Sequence, residues 1–486
     1  MVTAGPTRAR RRPFREAAEA CVTALTIALL LKVFLVEAYH IPTGSMMPTL
    51  FGYEAGDGTS IKDTVLVDRL AYLAGDPARF DVAVFRFPLD RERAFVKRVW
   101  GLPGDTLRIS NGDVQRLEPD GTWRAPQRSA RVMDEMWLPL EHHGGWELVG
   151  ATIDVSAGEV AAAAIEVGAT GGALIYPRGA AERDDAARIV DLYRDGYPEA
   201  LRAQMPERGG QNVVGDLRLG FDVLVPEGDA ALTLVTVEVF ERAEDGWHVA
   251  RATVPVDEGA LTLVAEAPAA QLAPAGAQAE PAAPPGADTA HLHRGQRARV
   301  TLSTLDDVAR VTLTGATGSA TRAVSLAAVE PLGSYVRITC DGRATLSGLS
   351  LARDVHYVLG RAATDTWTVP DRAYFVLGDN TQRSVDSREW RLDAYRFEAG
   401  PRAGEVVRGQ NIPGENPLTA FSEAPEPVWY FRDEWGERQR LPVVDIGMPP
   451  PIEAPFVPRD HFVGRAFLVI WPPTPGGAGP WPRAVH

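Results

Sequence analysis

The feature that most constrains this chain is a long apolar run near its start, Ala17 to Val36, which contains two charged residues. A helix of that length rises about 30 Å, which is the thickness of the hydrocarbon core of a bilayer. Five arginines precede the run, and the next basic residue after it is Lys62. The positive-inside rule therefore predicts a single transmembrane helix over 17–36, with residues 1–16 in the cytoplasm and the rest of the chain outside it.

A cleaved signal peptide is the rival interpretation of the same run. It would have a basic n-region, an apolar h-region and Val36-Glu37-Ala38 as a small-residue cleavage site. The length of the run favours a retained anchor.

Composition excludes some classes of function. The 486 residues carry a net charge of −14, which argues against nucleic acid as a partner, since basic residues cluster only at the extreme N-terminus. The two cysteines lie far apart, and we expect no disulfide between them. Neither His142-His143 nor His291-Leu292-His293 has the spacing of a metal site, so we expect no metal and no cofactor.

A serine stands in an unusual stretch directly after the apolar run. Pro42 and Pro48 flank Gly44-Ser45-Met46, and prolines so placed are incompatible with a helix interior or a central strand. The stretch therefore predicts a stiff turn that presents one hydroxyl. Taken alone, a serine in a polar turn is more often just a turn residue.

Short β-rich segments follow the serine and predict a mainly β protein. Residues 63–68, 80–87 and 94–100 are apolar and rich in β-branched or aromatic residues, and Asn111-Gly112 predicts a hairpin with a type I′ turn. We expect residues 37–116 to form the first part of a compact antiparallel β-domain. Its second part should be 371–390, and 456–486 should supply the closing strand and the tail.

Two insertions should interrupt that domain. Within the first, 117–370, short strands alternate with turns and predict a jelly-roll-like β-sandwich at about 205–355. A helix is expected within Asp184 to Gln204, and the Ala/Pro-rich segment 265–290 is expected to be disordered. The second insertion, 391–455, is rich in proline.

Lys97 is the candidate base for the serine. A serine needs a base to take its proton, and a lysine acts as one near neutral pH only when burial lowers its pKa. Phe95, Val96 and Val99 give Lys97 apolar surroundings. Taken alone, Lys97 and Arg98 are more simply a solvated pair on an edge strand, and it is the coincidence with the serine stretch that favours catalysis.

Two further sets of residues complete the candidate site. The backbone N–H of Ser45 and the hydroxyl of Thr43 are the available donors for an oxyanion. Downstream, Ser384 is placed to hydrogen-bond Lys97, while Asp386 and Arg388, two apart on an extended segment, are expected to form a local ion pair.

These stretches resemble the bacterial type I signal peptidases, which are membrane-bound serine proteases with a Ser/Lys dyad. The resemblance covers about 17–112, 373–390 and 457–471. It rests on IPTGSMMPTL, DTVLVDRLAY, FDVAVFRFP with FVKRVWGLPGD, GDNTQRSVDSREW and VPRDHFVGRAFLVIW. It implies Ser45 as nucleophile, Lys97 as general base, Ser384 beside the lysine, and Asp386 and Arg388 as structural supports.

The same resemblance implies a function and a location. The enzyme would remove signal peptides from exported preproteins after Ala-x-Ala-like sites, through an acyl-enzyme, at the bacterial plasma membrane. Its partners would be preproteins, the lipid bilayer and the protein export machinery. The substrate would bind as an added strand, with its small side chains in shallow pockets lined by Ile41, Met46, Leu50 and Val96.

Two other classes of protein remain open at this point. One is a self-cleaving repressor-type Ser/Lys protease, against which the membrane anchor and the absence of a DNA-binding segment argue. The other is a membrane-tethered binding protein that acts through the β-sandwich, with its protease residues inactive.

Overall fold

The computed structural model describes residues 19–23, 36–54, 60–140, 145–149, 165–167, 172–180, 182–183, 187–197, 202, 210, 212–227, 232–268, 291–316, 318–410, 428–433, 437–442, 446–447, 452–471 and 482–486. Most of the predicted membrane helix 17–36 and all of residues 1–16 lie outside these ranges, although 19–23 are helical. Among the residues that are described, no helix combines the length and apolar character needed to cross a bilayer.

The protein is mainly β, as predicted, and its strands fall into three groups along the chain. The first group is Val36–His40 (β1), Gly52–Glu54 (β2), Ser60–Lys62 (β3), Thr64–Asp68 (β4), Val82–Phe87 (β5), Asp90–Gly101 (β6), Thr106–Ser110 (β7), Asp113–Leu117 (β8) and Trp123–Arg124 (β9). Besides 19–23, the described residues form short helical elements at Gly44–Met46 (3₁₀), Ala71–Ala74, Ala130–Met136 and Arg459–His461 (3₁₀).

The second group builds the inserted region. It comprises Leu138–Pro139 (β10), Glu147–Val149 (β11), Ile165–Val167 (β12), Gly172–Tyr176 (β13), Leu217–Leu224 (β14), Leu234–Ala243 (β15), Gly246–Pro255 (β16), Thr262–Glu266 (β17), Arg297–Leu305 (β18), Val308–Gly315 (β19), Gly318–Ser325 (β20), Gly333–Cys340 (β21) and Ala344–Arg353 (β22).

The third group returns to the first. It comprises Thr366–Thr368 (β23), Ala373–Leu377 (β24), Arg391–Phe397 (β25), Val406–Gln410 (β26), Val428–Asp433 (β27), Arg438–Pro442 (β28), Ile446–Gly447 (β29), Ile452–Glu453 (β30), Phe456–Pro458 (β31), Phe462–Trp471 (β32) and Arg483–Ala484 (β33).

One antiparallel sheet joins the two ends of the chain. Its strand order is β1-β4-β32-β5-β6-β24-β31, with β33 paired to β32. Strands from the last third of the sequence thus lie beside strands from the first, and apolar residues of both bury together in shared clusters. The expected hairpin is also present: β7 pairs with β8, and Asn111 and Gly112 have φ values of 52° and 94°, the signs that a type I′ turn needs.

The register of this sheet brings the candidate residues together. On one side of β6, Lys97 pairs with Ala83 of β5. On the other side, Arg98 pairs with Leu377 at the end of β24. The chain that leaves β24 therefore enters the 378–388 segment next to Lys97.

Two antiparallel sheets of the inserted region enclose a single hydrophobic cluster. The orders are β10-β22-β14-β18-β19-β20, with β12 on β22, and β11-β13-β21-β15-β16-β17. Apolar side chains that alternate along β14 and β18 share this cluster with those of β15 and β21. This is the packing of a β-sandwich.

The sandwich differs from the sequence-based expectation at its borders. It begins before residue 205, because β10 to β13 pair into it. The predicted helix is not found over 187–197, which form turns and an isolated bridge, whereas residue 202 is helical and the rest of 184–204 lies outside the described residues. The chain also leaves the insertion before 370, because β23 pairs with β7.

The remaining expectations concern proline- and alanine-rich segments. Residues 265 and 266 end β17, while 269–290 of the expected disordered segment lie outside the described residues. The described parts of 391–455 include strands β25 to β30, five of which pair in the order β28-β27-β26-β25-β29.

Candidate active site

The serine turn is held by burial of the residues on either side of it. Gly44–Met46 form one turn of 3₁₀-helix, and Met46 and Leu50 are fully buried with Val65 and Val82. Ser45 itself is half-buried. Apolar anchors thus fix a short turn against the sheet and leave the hydroxyl-bearing residue at the surface of a cleft.

Lys97 lies in the core, and its burial changes its acidity. The residue is 3% exposed, and desolvation lowers the pKa of Lys97 to about 8, against the opposing attraction of the Asp386 carboxylate. Nζ of Lys97 donates a hydrogen bond to Oγ of Ser384 at 3.1 Å. A lysine in this environment releases its proton far more readily than one in water.

The expected ion pair behind the lysine is present. Arg388 donates from Nε and Nη2 to the two carboxylate oxygens of Asp386, at 2.8 and 2.7 Å. Burial by itself would raise the pKa of Asp386, but the Arg388 guanidinium holds it below its usual range. The backbone N–H of Gly378 also donates to Asp386, at 3.0 Å, so the pair fixes the loop that carries Ser384.

A second buried ion pair was not anticipated from the sequence. Arg98, which is adjacent to Lys97, is 0% exposed and donates to Asp379 from Nε and Nη2 at 3.0 and 2.9 Å. Thr49 also donates to Asp379, at 2.6 Å. The signal was available in principle, because Arg98 stands next to Val99 and Trp100, and an arginine that is buried requires a carboxylate partner.

Asn380 ties the serine turn to the downstream loop. Its side-chain amide donates to the carbonyl of Gly44 at 2.9 Å, and its backbone N–H donates to the carbonyl of Ser45 at 3.2 Å. The sequence suggested only that Asp379-Asn380 shape a turn. The structure adds that Asn380 hydrogen-bonds to the carbonyl groups of both Gly44 and Ser45.

Gly378 stands where the two loops approach most closely. A Cβ added there would lie 2.1 Å from Oγ of Ser384 and 2.3 Å from the carbonyl oxygen of Ser45. No side chain fits in that gap, so this position requires glycine.

An open cleft of about 610 Å³ brings the candidate residues together. Its lining includes Ser45, Thr43 and Lys97. Ile41 and Val96 line it too, as expected, along with Val84, Phe95, Tyr193 and Val385. The expectation that Met46 and Leu50 form pocket walls is wrong: both lie in the hydrophobic cluster under the turn, at 0% exposure.

Acidic residues gather in a different place, where the β7–β8 hairpin meets the sandwich. Carboxylate oxygens of Asp113, Asp216, Asp306 and Asp354 lie within 4.8 Å of one another, the spacing of a metal-ligand set. Arg128 pairs with Asp306 at 3.0 Å and with Asp354 at 2.8 Å. Its positive charge therefore offsets part of the negative charge of the four carboxylates. This cluster joins the insertion to the β7–β8 hairpin.

A serine turn and a buried lysine at one cleft are the arrangement expected of a serine hydrolase whose base is a lysine. Residues 14–118 and 351–415 match the family described as signal peptidase, peptidase S26. The sandwich lies almost wholly in the part of the chain outside the match.

Curated relatives agree with this assignment over a limited length. Signal peptidase I of Pseudomonas aeruginosa is 46% identical over 92 residues, which are 18% of this chain and 31% of that protein. Probable signal peptidase I-2 of Synechocystis is 36% identical over 105 residues, 20% of this chain and 44% of that protein. The chain therefore spans less than half the length of either relative.

Solved structures overlap this chain only weakly. A winged bean acidic lectin aligns with a TM-score of 0.22 and 9% identity, covering 38% of this chain and 79% of the lectin. An overlap this slight supports no conclusion about the fold of the insertion or about a ligand.

Proposed function

We propose that this protein is a serine endopeptidase that removes signal peptides from exported preproteins. The observation that carries the proposal is the position of Lys97: it is almost fully buried, its pKa is lowered by that burial, and it lines the same cleft as Ser45. Both residues lie in a segment that matches the signal peptidase family. Cleavage after Ala-x-Ala-like sites follows from the family resemblance.

In the proposed reaction, uncharged Lys97 removes the proton from Oγ of Ser45 as that oxygen attacks the scissile carbonyl carbon. The tetrahedral intermediate collapses when the C–N bond breaks, and the leaving amine takes the proton from Lys97. Water then attacks the acyl-enzyme, again with Lys97 as base, which releases the new carboxylate and restores Ser45. The hydrogen bond between Lys97 and Ser384 keeps Nζ in place during both steps.

The oxyanion would be stabilised by the backbone N–H of Ser45 and the hydroxyl of Thr43. Ser45 lies at the start of a helical turn, where backbone N–H groups have no partner within the helix. A donor fixed in this way needs no reorganisation when negative charge develops, which is the basis of its catalytic effect.

The cleft suits a substrate with small apolar side chains. Ile41, Val84 and Val96 line it near Ser45 and Lys97, and a peptide could bind there in an extended conformation. The predicted membrane anchor over 17–36 would hold this cleft near the bilayer, with preproteins and the export machinery as partners at the bacterial plasma membrane.

Cleavage of a preprotein by the full-length protein in detergent tests the proposal. We expect the parent to cut after an Ala-x-Ala site, and we expect Ser45→Ala and Lys97→Ala to abolish cutting while remaining folded. Ser110→Ala, in the β7–β8 hairpin and away from the cleft, is the control that should cut normally. If a folded parent did not cut, or if all variants cut equally, the proposal would be overturned in favour of a binding function for the sandwich.

A further inference from the structure

One segment of the inserted region packs against the serine turn. Residues 191–197, between β13 and β14, bring Tyr193 and Tyr197 into a hydrophobic cluster with Met47 and Phe51, which follow the serine. The rings of Tyr197 and Phe51 meet edge-on at 6.1 Å. Gly196 also packs there, since a Cβ at that position would lie 2.9 Å from Pro48. The insertion therefore forms part of the support under the turn.

The hydroxyl of Tyr197 contacts the residue that holds the serine backbone. The side-chain amide of Asn380 donates one hydrogen bond to the carbonyl of Gly44 at 2.9 Å and the other to the hydroxyl of Tyr197 at 3.1 Å. An asparagine amide has two donor hydrogens, so these two bonds use both of them. Tyr197 is 4% exposed, and its ring packing leaves the hydroxyl little freedom. Tyr197 thus sets the rotation of the Asn380 amide.

The orientation of that amide determines the direction of a catalytic donor. The carbonyl of Gly44 and the N–H of Ser45 belong to the same peptide group, which is planar and, in its trans form, points the two bonds in opposite directions. Fixing the Gly44 oxygen toward Asn380 therefore fixes the Ser45 N–H toward the opposite side. The N–H of Met47 also donates to the same carbonyl, at 3.2 Å, which reinforces this orientation.

We propose that Tyr197, supplied by the inserted region, is a positioning residue for the oxyanion donor: it orients Asn380, which holds the Gly44–Ser45 peptide and so aims the Ser45 N–H. The inference rests on the proposed peptidase function. On this inference the insertion takes part in the chemical step, because the conformation of the serine turn depends on Tyr197. Burial raises the pKa of Tyr197 well above its ordinary value, so the phenol keeps its proton across the working pH range.

Tyr197→Phe is the test, because it removes one oxygen and keeps the ring that packs on Phe51. We expect kcat for preprotein cleavage to fall about 10-fold, the effect of losing one neutral hydrogen bond. KM should stay within about twofold, since an oxyanion donor acts on the transition state and not on bound substrate. The acid limb of the pH profile should not move, because Lys97 is untouched.

Tyr335→Phe is the matched control. Tyr335 is a buried tyrosine of the sandwich that stacks on Phe240 at 4.1 Å, and it is expected to leave kcat, KM and the pH profile unchanged. Thermal unfolding of each variant would show that the folded fraction is the same.

A second variant keeps the inference testable if Tyr197→Phe does not fold. Asn380→Leu has nearly the same shape and no charge but cannot donate to the Gly44 carbonyl, and we expect a fall in kcat of at least about 100-fold with the same pH profile. Parent-like kcat in either folded variant would overturn the inference. A change confined to KM would also overturn it and would make Tyr197 a cleft residue. A parent that does not cleave at all would overturn the peptidase proposal instead.

Discussion

Arg98 and Asp379 form a bidentate ion pair that is almost completely excluded from solvent, with side-chain exposures of 0% and 1%. Arg98 follows the candidate base in β6, and Asp379 opens the loop that carries Ser384. The pair therefore fastens the strand of the lysine to the loop behind it. Thr49, four residues after the candidate nucleophile, donates to the same carboxylate, so one ion pair connects all three parts of the site.

Removing one partner of this pair should be costly. We expect Asp379→Ala to lower the free energy of unfolding by about 3 kcal/mol, the lower end for a broken buried ion pair, because Arg98 keeps only Glu135 as a carboxylate partner, at 3.3 Å. Urea titration of the variant measures the loss. Asp120→Ala is the control, since the Asp120–Arg124 pair is exposed and its loss should change stability little. Equal losses in the two variants would contradict the prediction.

Adding a methyl group to Gly378 should disrupt the site. Gly378→Ala places Cβ against Ser384 and the Ser45 carbonyl, so the loops must move apart, and small displacements of catalytic groups can reduce rates about 100-fold. We expect a fall in kcat of that order in a cleavage assay. Gly75→Ala is the control, since its nearest neighbour would be 3.6 Å away. A Gly378→Ala variant with normal kcat would show that the loops can separate without consequence.

The pH dependence of cleavage should report Lys97. With a pKa of about 8, the lysine is mostly protonated at neutral pH, so kcat/KM should rise about tenfold per pH unit below that value and level off above it. Steady-state kinetics between pH 6 and 10 would measure this pH dependence, with overlapping buffers at one ionic strength as the control. An inflection well below pH 8 would contradict the assignment of Lys97 as the base.

Replacing Lys97 should stabilise the fold while abolishing cleavage. Burial lowers the pKa of Lys97 from 10.5 to about 8, so below pH 8 the folded state carries a charge that burial disfavours. We expect Lys97→Met to raise the free energy of unfolding at pH 7 by about 2–3 kcal/mol. The gain should shrink as pH rises from 8 to 10.5, because the parent lysine is then neutral in the folded state.

Denaturant unfolding of parent and Lys97→Met at pH 7 and pH 10 tests this. Lys62→Met is the matched control, as Lys62 is only partly buried and lies outside the sheet of Lys97. A Lys97→Met variant that is less stable than the parent at pH 7 would mean that packing around Nζ outweighs the cost of the buried charge.

The sequence by itself determined the local features of this protein. Proline on both sides of Ser45 requires a turn, and Asn111-Gly112 favours positive φ values. Each of these follows from residues within a few positions of one another, where backbone sterics and alternation of side chains decide the outcome.

Tertiary structure alone decided what meets at the site. Asp379 pairs with Arg98 from 281 positions away, and Asn380 holds the Gly44 carbonyl from 336 positions away. The positions of Met46 and Leu50 were also decided by tertiary structure, because periodicity could not show whether they lie in the core or line the cleft. Tyr197 reaches the serine turn from a segment that was expected to be helical. These contacts depend on which strands pair, and strand pairing is set by packing of the whole sheet and not by local sequence.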